Sequence, residues 1–453
     1  MSDLLSIGAS GVRAYQTALN VVGENIANVG TPGYTRRTTT MNEVSAGIGA
    51  AERPNAGNGV ILSGIGRATD AYASAAVRSA GADLARTEAS ATWLERIEQS
   101  LTGNQLTSRV TGFFTSATAL AAEPNSTALR TGVVSAAQSA AIAFKATGQA
   151  FNQMEADLDT AGRQAVSTLN SLSNSLVRVN DGLGRTTPGT AAAAQLADQR
   201  DSILEQMSAI TDLGVTLDPL GRATVSVGGV NGTPLVARNV ASTVSYARTG
   251  ANVALTINDG SATPPVIEPN GGALAGIVEG AERIAGARSS VNDLANDFVT
   301  KINAAQAEGR DLAGNLGTDL FDQPTADPTD ITVVLTDGKF VAAADKNVDT
   351  TSTAFVRNGA NLTRFETARL DGGFESKLTA LVNENATAYK QKSVIADAQT
   401  AIRNGAATAL TSKTGVNIDS EAIDLMRFQQ AYQASSRVIQ VARDTFQSIL
   451  EIR

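Results

Sequence analysis

The chain has no cysteine and no histidine among its 453 residues. Without cysteine there is no disulfide and no thiolate chemistry. Without histidine, the commonest general base and the commonest metal ligand are both gone. An enzyme built on this sequence would have to work with carboxylates, Lys, Tyr or Ser alone. Aromatics are scarce at 4%, and charged residues, at 18%, fall below the roughly 25% of an average domain. Net charge is −8 and no basic stripe with interleaved aromatics occurs, which argues against nucleic-acid binding. No apolar run approaches the roughly 20 residues of a membrane span. The opening "MSDLLSIGASG" has neither the charged nor the continuous apolar region of a cleavable signal peptide. A cytoplasmic home and export by a route that leaves no such mark both remain open.

What is present is Ala, Ser, Thr, Gly and Asn spread over long helical patterns. A chain of this length exceeds one ordinary core, so two to four domains are expected. Read at alternating steps of three and four, the first helix gives Leu5, Gly8, Val12, Tyr15, Leu19, Val22, Ile26 and Val29, a coiled-coil seam. Ser2 or Asp3 can cap its start. The helix should stop at Asn28-Val29-Gly30, ahead of a type II turn at Thr31, Pro32, Gly33 and Tyr34, since proline disfavours helical geometry in the residue before it. "TRRTTTM" and "GVILSGIGR" read as extended segments. The last segment, Ile418 to Ile452, repeats the seam with Leu425, Phe428, Tyr432, Ser435, Ile439, Ala442, Phe446 and Ile449, capped by Asp419 or Ser420, with Glu421 and Asp424 facing the helix dipole.

Between the ends, helices are predicted over Ala71 to Leu101, Phe113 to Ala122, Leu129 to Val179, Ala191 to Ile210, Gly272 to Glu308 and Gly373 to Ser412. The third should be ended by Asn180-Asp181-Gly182. Alternation at Leu213, Val215, Leu217 and at Val253, Leu255, Ile257 predicts a small β-rich insertion. A second hairpin is predicted from Ile331 to Leu335 and Phe340 to Ala343 around Asp337-Gly338. The expected fold is mainly α with β-rich insertions: paired N- and C-terminal coiled-coil helices, a long-helix bundle in the middle and a small β domain. The expected division is 1–40, an N-terminal axial helix and turn; 41–212, the first part of a helical middle domain; 213–270, the β-rich domain; 271–412, the returning part of the middle domain; and 413–453, the C-terminal axial helix.

Sites for chemistry are hard to find. "GNGVILSGIG" opens no helix, so it is a poor dinucleotide loop. Ser10 in "GASG" lacks nucleophile-elbow spacing. "ADPTD" at 326–330 has too few ligands for a Ca²⁺ loop and reads as a turn. Asp198 and Asp201 in "DQRD" sit three apart on a helix and read as a solvated face or a packing salt bridge. No catalytic, cofactor or metal residue is assigned. Tyr15 and Tyr432 lie on the seams, where helix packing is the plain reading.

With these residues in view, "NVVGENIANVGTPGYTRR" resembles the N-terminal signature of bacterial flagellar axial proteins, with Asn25 to Asn28 and Thr31 to Tyr34 matching its two blocks. "LMRFQQAYQASSRVIQVARDTFQSIL" resembles the closing helix of the same proteins, notably Tyr432-Gln433-Ala434. "QLADQRDSILEQMSAITDLGVTL" and "VNDLANDFVTKINAAQAEGRDLAGNLGTDLFD" are similar to the hook-associated members at the hook–filament junction. One departure is Ala305 before Gln306, where the family commonly has His. The resemblance implies a structural protein, exported without a cleaved signal peptide, that forms a ring of its own copies. Its implied partners are hook protein, adjacent junction or filament proteins and an export chaperone, with neither cofactor nor nucleic acid nor membrane insertion. The assembly interface would comprise Leu5, Val12, Tyr15, Leu19, Val22, Ile26 and Val29 at one end. At the other it would comprise Leu425, Phe428, Tyr432, Ile439, Phe446 and Ile449, and such ends should be labile until neighbours cover them. A hook or distal rod protein is the alternative, and a secreted carboxylate-dependent hydrolase a remote one.

Overall fold

A computed structural model describes residues 2–44 and 59–451. The side chains of Ser2 and Asp3, expected as caps, and Ile452, the expected end of the last helix, lie outside the described parts. Helix α1 (Ser2–Ala27) leads through a turn to a hairpin of β1 (Arg37–Glu43) and β2 (Val60–Arg67), antiparallel with a bulge between Thr40 and Met41. The body follows with α2 (Ala71–Gly103), α3 (Leu106–Ala122), α4 (Thr127–Arg185) and α5 (Ala191–Ser208). A β-rich insertion holds two antiparallel sheets. One orders β3 (Leu213–Leu217), β4 (Ala223–Val227), β5 (Thr233–Ala237) and β6 (Val240–Ala241); the other orders β7 (Thr243–Thr249), β8 (Asn252–Asn258) and β9 (Val266–Ile267). The chain returns through α6 (Gly272–Ala307), a stretch of two-residue strand pairings, α7 (Leu362–Gly372) and α8 (Phe374–Thr414), and ends in α9 (Ile418–Glu451). The fold is mainly α with β insertions, as the sequence predicts.

Helix α4 spans about 90 Å at 1.5 Å per residue, so two separate cores form along it. At one end Phe113, Phe114, Phe144, Phe298, Phe321, Phe365 and Phe374 gather with α3, α6, α7 and α8. Seven of the chain's twelve phenylalanines meet there, which is how a sequence with few aromatics still builds an aromatic core. Phe298 sits 5.1 Å from Phe321 and 5.4 Å from both Phe144 and Phe374, ring centre to ring centre. Such pairs add about 0.5–1.5 kcal/mol beyond the area they bury. The second core holds Trp93, Ile97, Phe151, Leu158, Leu169 and Leu176 under the insertion's Val225, Val236, Leu255 and Ile257.

The strands and loops are fastened to the helices by buried and half-buried carboxamides. Asn170 of α4 exchanges two hydrogen bonds with the backbone of Val244, at 2.8 and 2.9 Å. One layer further on, Asn180 does the same with Ala223, both at 2.8 Å, and donates also to Arg238 O. Asn303 of α6 grips Leu320 and Phe321, and Gln306 grips Phe340 and Ala342. A side-chain amide offers the same donor and acceptor as a peptide group, so a helix that displays one completes a strand's edge.

This corrects two expectations. Helix α4 does not end at Asn180-Asp181-Gly182: Asn180 spends its amide on the insertion instead of on a cap, and the helix runs to Arg185, which pairs with Asp181 at 2.6 Å. The hairpin expected around Asp337-Gly338 is absent. Asp337 accepts the Lys339 amide and starts a 3-10 turn, while Thr332–Val333 pairs with Phe321–Asp322. Helix α7 is an element that the sequence reading lacks; its short pattern hides Leu362 and Phe365 in the aromatic core.

The insertion is also tied down by charge. Arg248 of β7 donates to Asp159 of α4 at 2.6 and 3.1 Å, and the Tyr246 hydroxyl donates to the same carboxylate at 2.9 Å. The Tyr246 ring lies against Gly162, where a Cβ would come within 2.4 Å of it. Donation from Arg248, then from Tyr246, holds the Asp159 carboxyl below its usual range, while burial and the bond to Asp159 push the Tyr246 hydroxyl well up. A depressed carboxylate stabilises the fold above its unfolded value, about 3.9, and that contribution is lost as pH falls through the folded value. Thermal unfolding followed from about pH 6 to about pH 2 is therefore expected to show a Tm drop below the unfolded value, and Asp159→Asn should flatten that drop.

Candidate functional site at the helix corner

Helices α1 and α9 pack against each other in antiparallel sense: Gly8 and Gly11 face Ser435 and Ile439, Tyr15 stands 6.4 Å from Phe428, and Asn25 meets Glu421. The buried stripe of α1 is Gly8, Gly11, Ala14, Ala18, Val21, Val22 and Asn25. It lies one residue off most of the expected seam, because periodicity weighs large side chains while close helix packing selects small ones. A Cβ at Gly8 would come 2.7 Å from Ile439 Cγ1.

Of the residues assigned to the N-terminal seam, Gly8 and Val22 are buried. Val12, Tyr15, Leu19 and Ile26 flank the contact half-buried, and Leu5 and Val29 are exposed. On α9, Phe428, Tyr432 and Ile439 are half-buried towards α1, whereas Leu425, Phe446 and Ile449 are exposed. Beyond Ala442, every residue from Arg443 to Glu451 is exposed. The turn forms as read: Tyr34 N donates to Thr31 O at 3.2 Å, and Gly33 carries the positive φ, 78°, that its position requires.

The corner after that turn gathers residues from four distant parts of the chain. Asn25 is fully buried and uses all four of its hydrogen-bonding places. Its Nδ2 donates to Arg37 O at 2.8 Å and to Glu421 Oε2 at 2.9 Å; its Oδ1 accepts from the Tyr34 hydroxyl at 2.9 Å and from Arg37 N at 3.0 Å. Glu421, also fully buried, accepts from Arg36 Nε at 2.6 Å, and Arg36 reaches Asp424 at 3.1 Å. Sequence reasoning gave Glu421 only a place in the dipole field of the first turn; its carboxylate is instead the buried partner of the other end of the chain. The start of α9 is capped by Asn417, which accepts from Ser420 N at 3.1 Å, and not by Asp419 or Ser420.

Further hydrogen bonds and ion pairs join this corner to the body. Thr35 donates to Asp198 at 2.7 Å; Arg67 of β2 lies 3.2 Å from Asp198 and pairs with Asp201; Arg37 pairs with Glu24 at 2.9 Å and lies over the Tyr34 ring at 4.9 Å. "DQRD" is thus a packing salt bridge. Burial pushes the Asp198 carboxyl up, against the pull of Thr35, Arg67 and Arg37, and burial likewise raises the Tyr34 hydroxyl. A cleft of about 900 Å³ lies on one side of the turn, between Pro32, Tyr34, Arg178 and Gln195. A cavity of about 330 Å³ lies on the other, lined by Arg67, Arg78, Asp201 and Thr414. Among the described residues no helix is long and apolar enough to cross a membrane, and no group of three or more acidic side chains is arranged to hold a metal.

From sequence, Asn25 is noted only as part of a signature and Glu421 only as a dipole partner, while Arg36 and Arg67 are given no role. The one available signal was an Asn and a Glu next to otherwise apolar stripes.

Comparison with known proteins follows this division of the chain. Its two ends match models described as "Flagella basal body rod protein" over residues 5–35 and "Flagellar basal body rod FlgEFG protein C-terminal" over residues 409–452. A body of helices closed by such ends defines a flagellar axial protein. The model described as "Flagellar hook-associated protein FlgK helical domain" matches residues 93–321, just over half of the chain. The chain belongs to that family, whose members are structural parts of the bacterial flagellum. It is 27% identical to flagellar hook-associated protein 1 of Salmonella typhimurium, covering 94% of this chain and 81% of that one. It is 24% identical to the protein of the same name from Escherichia coli K12, over the whole length of both. The structure of the flagellar hook junction protein FlgK from Burkholderia pseudomallei superposes with a TM-score of 0.64 at 14% identity, covering 74% of this chain and 99% of that one, a likeness of fold.

Removing the cation from the buried carboxylate should be costly. Arg36→Met is expected to lower stability by roughly 3 kcal/mol, because Glu421 then keeps only its bond to Asn25. Urea unfolding of the variant against the parent protein measures it.

Proposed function

We propose that this chain is a structural subunit of the hook–filament junction, which polymerises as a ring through its terminal helices. The observation that carries the reading is the apolar surface left on α9. Ile418, Ile423, Leu425, Met426, Val438, Val441, Phe446, Ile449 and Leu450 are all exposed, with Leu4 and Leu5 exposed on α1. Large apolar side chains left exposed all along one helix point to an interaction site. The two ends cover each other on one narrow stripe and leave the rest for neighbours, which suits an inner layer in which each pair of helices touches others on both sides. Hook protein on one side and further junction or filament proteins on the other are the partners of that assembly, and a further copy is the lateral one. Export without a cleaved signal and an export chaperone for the C-terminal segment belong to the same reading.

The test is in cells. Leu19→Asp and Phe446→Asp should each abolish attachment of filaments while the isolated proteins keep the circular dichroism and the melting transition of the body. Loss of the gene should leave hooks without filaments. Filaments retained on hooks with either substitution would remove the terminal helices from the interface. Hooks that never form when the gene is deleted would favour a rod or hook protein instead.

A further inference from the structure

The stripe on α1 that meets α9 carries little information about position. Gly8, Gly11, Ala14 and Ala18 repeat with small side chains, and a surface of that kind fits a partner helix at several settings one turn apart. Ile439 and Ser435 seat on Gly8 and Gly11, and Tyr15 meets Phe428, but a buried polar pair marks position at one end, where Asn25 and Glu421 are both fully buried and bonded to each other at 2.9 Å. Sliding α9 by one turn along α1 would move the Glu421 carboxylate away from Arg36 Nε and Asn25 Nδ2.

We infer that Asn25 and Glu421, with Arg36, are the specificity determinants of the terminal helix pair: they select the register in which α9 lies on α1, while the small-residue stripe supplies closeness without selection. A buried polar contact in an otherwise apolar helix pair is able to fix register in this way. These are positioning residues. The Arg36 backbone amide donates to Thr414 O at 2.8 Å, at the end of α8, so its place is set outside α9. Asn25 is set by both backbone groups of Arg37. The two donors are thus anchored outside α9, and one setting of that helix brings Glu421 to both of them and Asp424 to the Arg36 guanidinium at 3.1 Å. This inference concerns the single chain and does not depend on what the chain assembles into.

The chain has no cysteine, so introduced pairs report without background. A Cβ at Gly11 would stand 3.1 Å from that of Ser435, close to disulfide separation. The full-length monomer is made with Gly11→Cys and, in turn, Ser435→Cys, Ala431→Cys or Ile439→Cys, the last two reporting settings one turn away in each direction. In the otherwise unchanged chain the 11–435 link should form on oxidation roughly ten-fold faster than the other two, as their separations demand. With Asn25→Leu and Glu421→Leu added, all three links should form at comparable rates. With Glu421→Gln, which keeps the shape and one of the two acceptor oxygens, the 11–435 link should stay dominant. If the double leucine variant still links at 435 alone, the stripe itself sets register and the inference is wrong. If it links at none of the three, the polar contact supplies the pairing and not the selection, and the inference is equally wrong.

Discussion

A buried side-chain carboxamide that stands in for a peptide group is the interaction on which most of this structure depends. The chain is built from long helices, and long helices satisfy their own backbones and offer nothing to the strands and loops laid across them. Asn170 and Asn180 of α4 supply the missing donor and acceptor to Val244 and Ala223 of the insertion. Asn303 and Gln306 do so for the loop after α6, and Asn361 bonds the carbonyls of Ala305 and Ala342. Asn25 does it for Arg37, where β1 begins. Each fixes a segment with little apolar surface of its own, and each is worth more in a dry interior than the same bond in water.

The consequence for function is a division of labour. Two cores lie along α4, one aromatic and one mostly aliphatic, and neither draws a residue from α1 or α9. The ends are then free to be poor in burial: most of α9 is exposed, with apolar residues on that exposed surface. This separation fits the proposed junction subunit, whose terminal helices would go to neighbours. The corner at Asn25, Tyr34, Arg36 and Glu421 joins the two parts through hydrogen bonds and ion pairs. Directional bonds hold an angle where a sparse apolar contact would not.

Much of the fold was legible because its elements are long and regular. The span of α1, the proline-glycine turn, α2, α5, α6 and the β character of residues 213 to 267 follow from period, propensity and turn chemistry. The family was legible too, from two short signatures at opposite ends. The misreadings have one cause. Asn180 was read as a helix stop and Glu421 as a dipole partner, because local rules assign a polar residue a local task. Their partners lie 43 and 396 residues away for Asn180 with Ala223 and Glu421 with Asn25.

By itself, then, the sequence determined that the chain is a helical structural protein whose two ends carry matching amphipathic helices, since periodicity and composition are properties of the chain alone. Only the tertiary structure decided which stripe of α1 faces α9. Helix–helix closeness depends on the size of both surfaces at once, and the glycines and alanines that permit it weigh little in any hydrophobic pattern. It decided also that Asn25, Arg36 and Glu421 form one site, because a buried polar group is defined by what surrounds it and not by its neighbours in the chain.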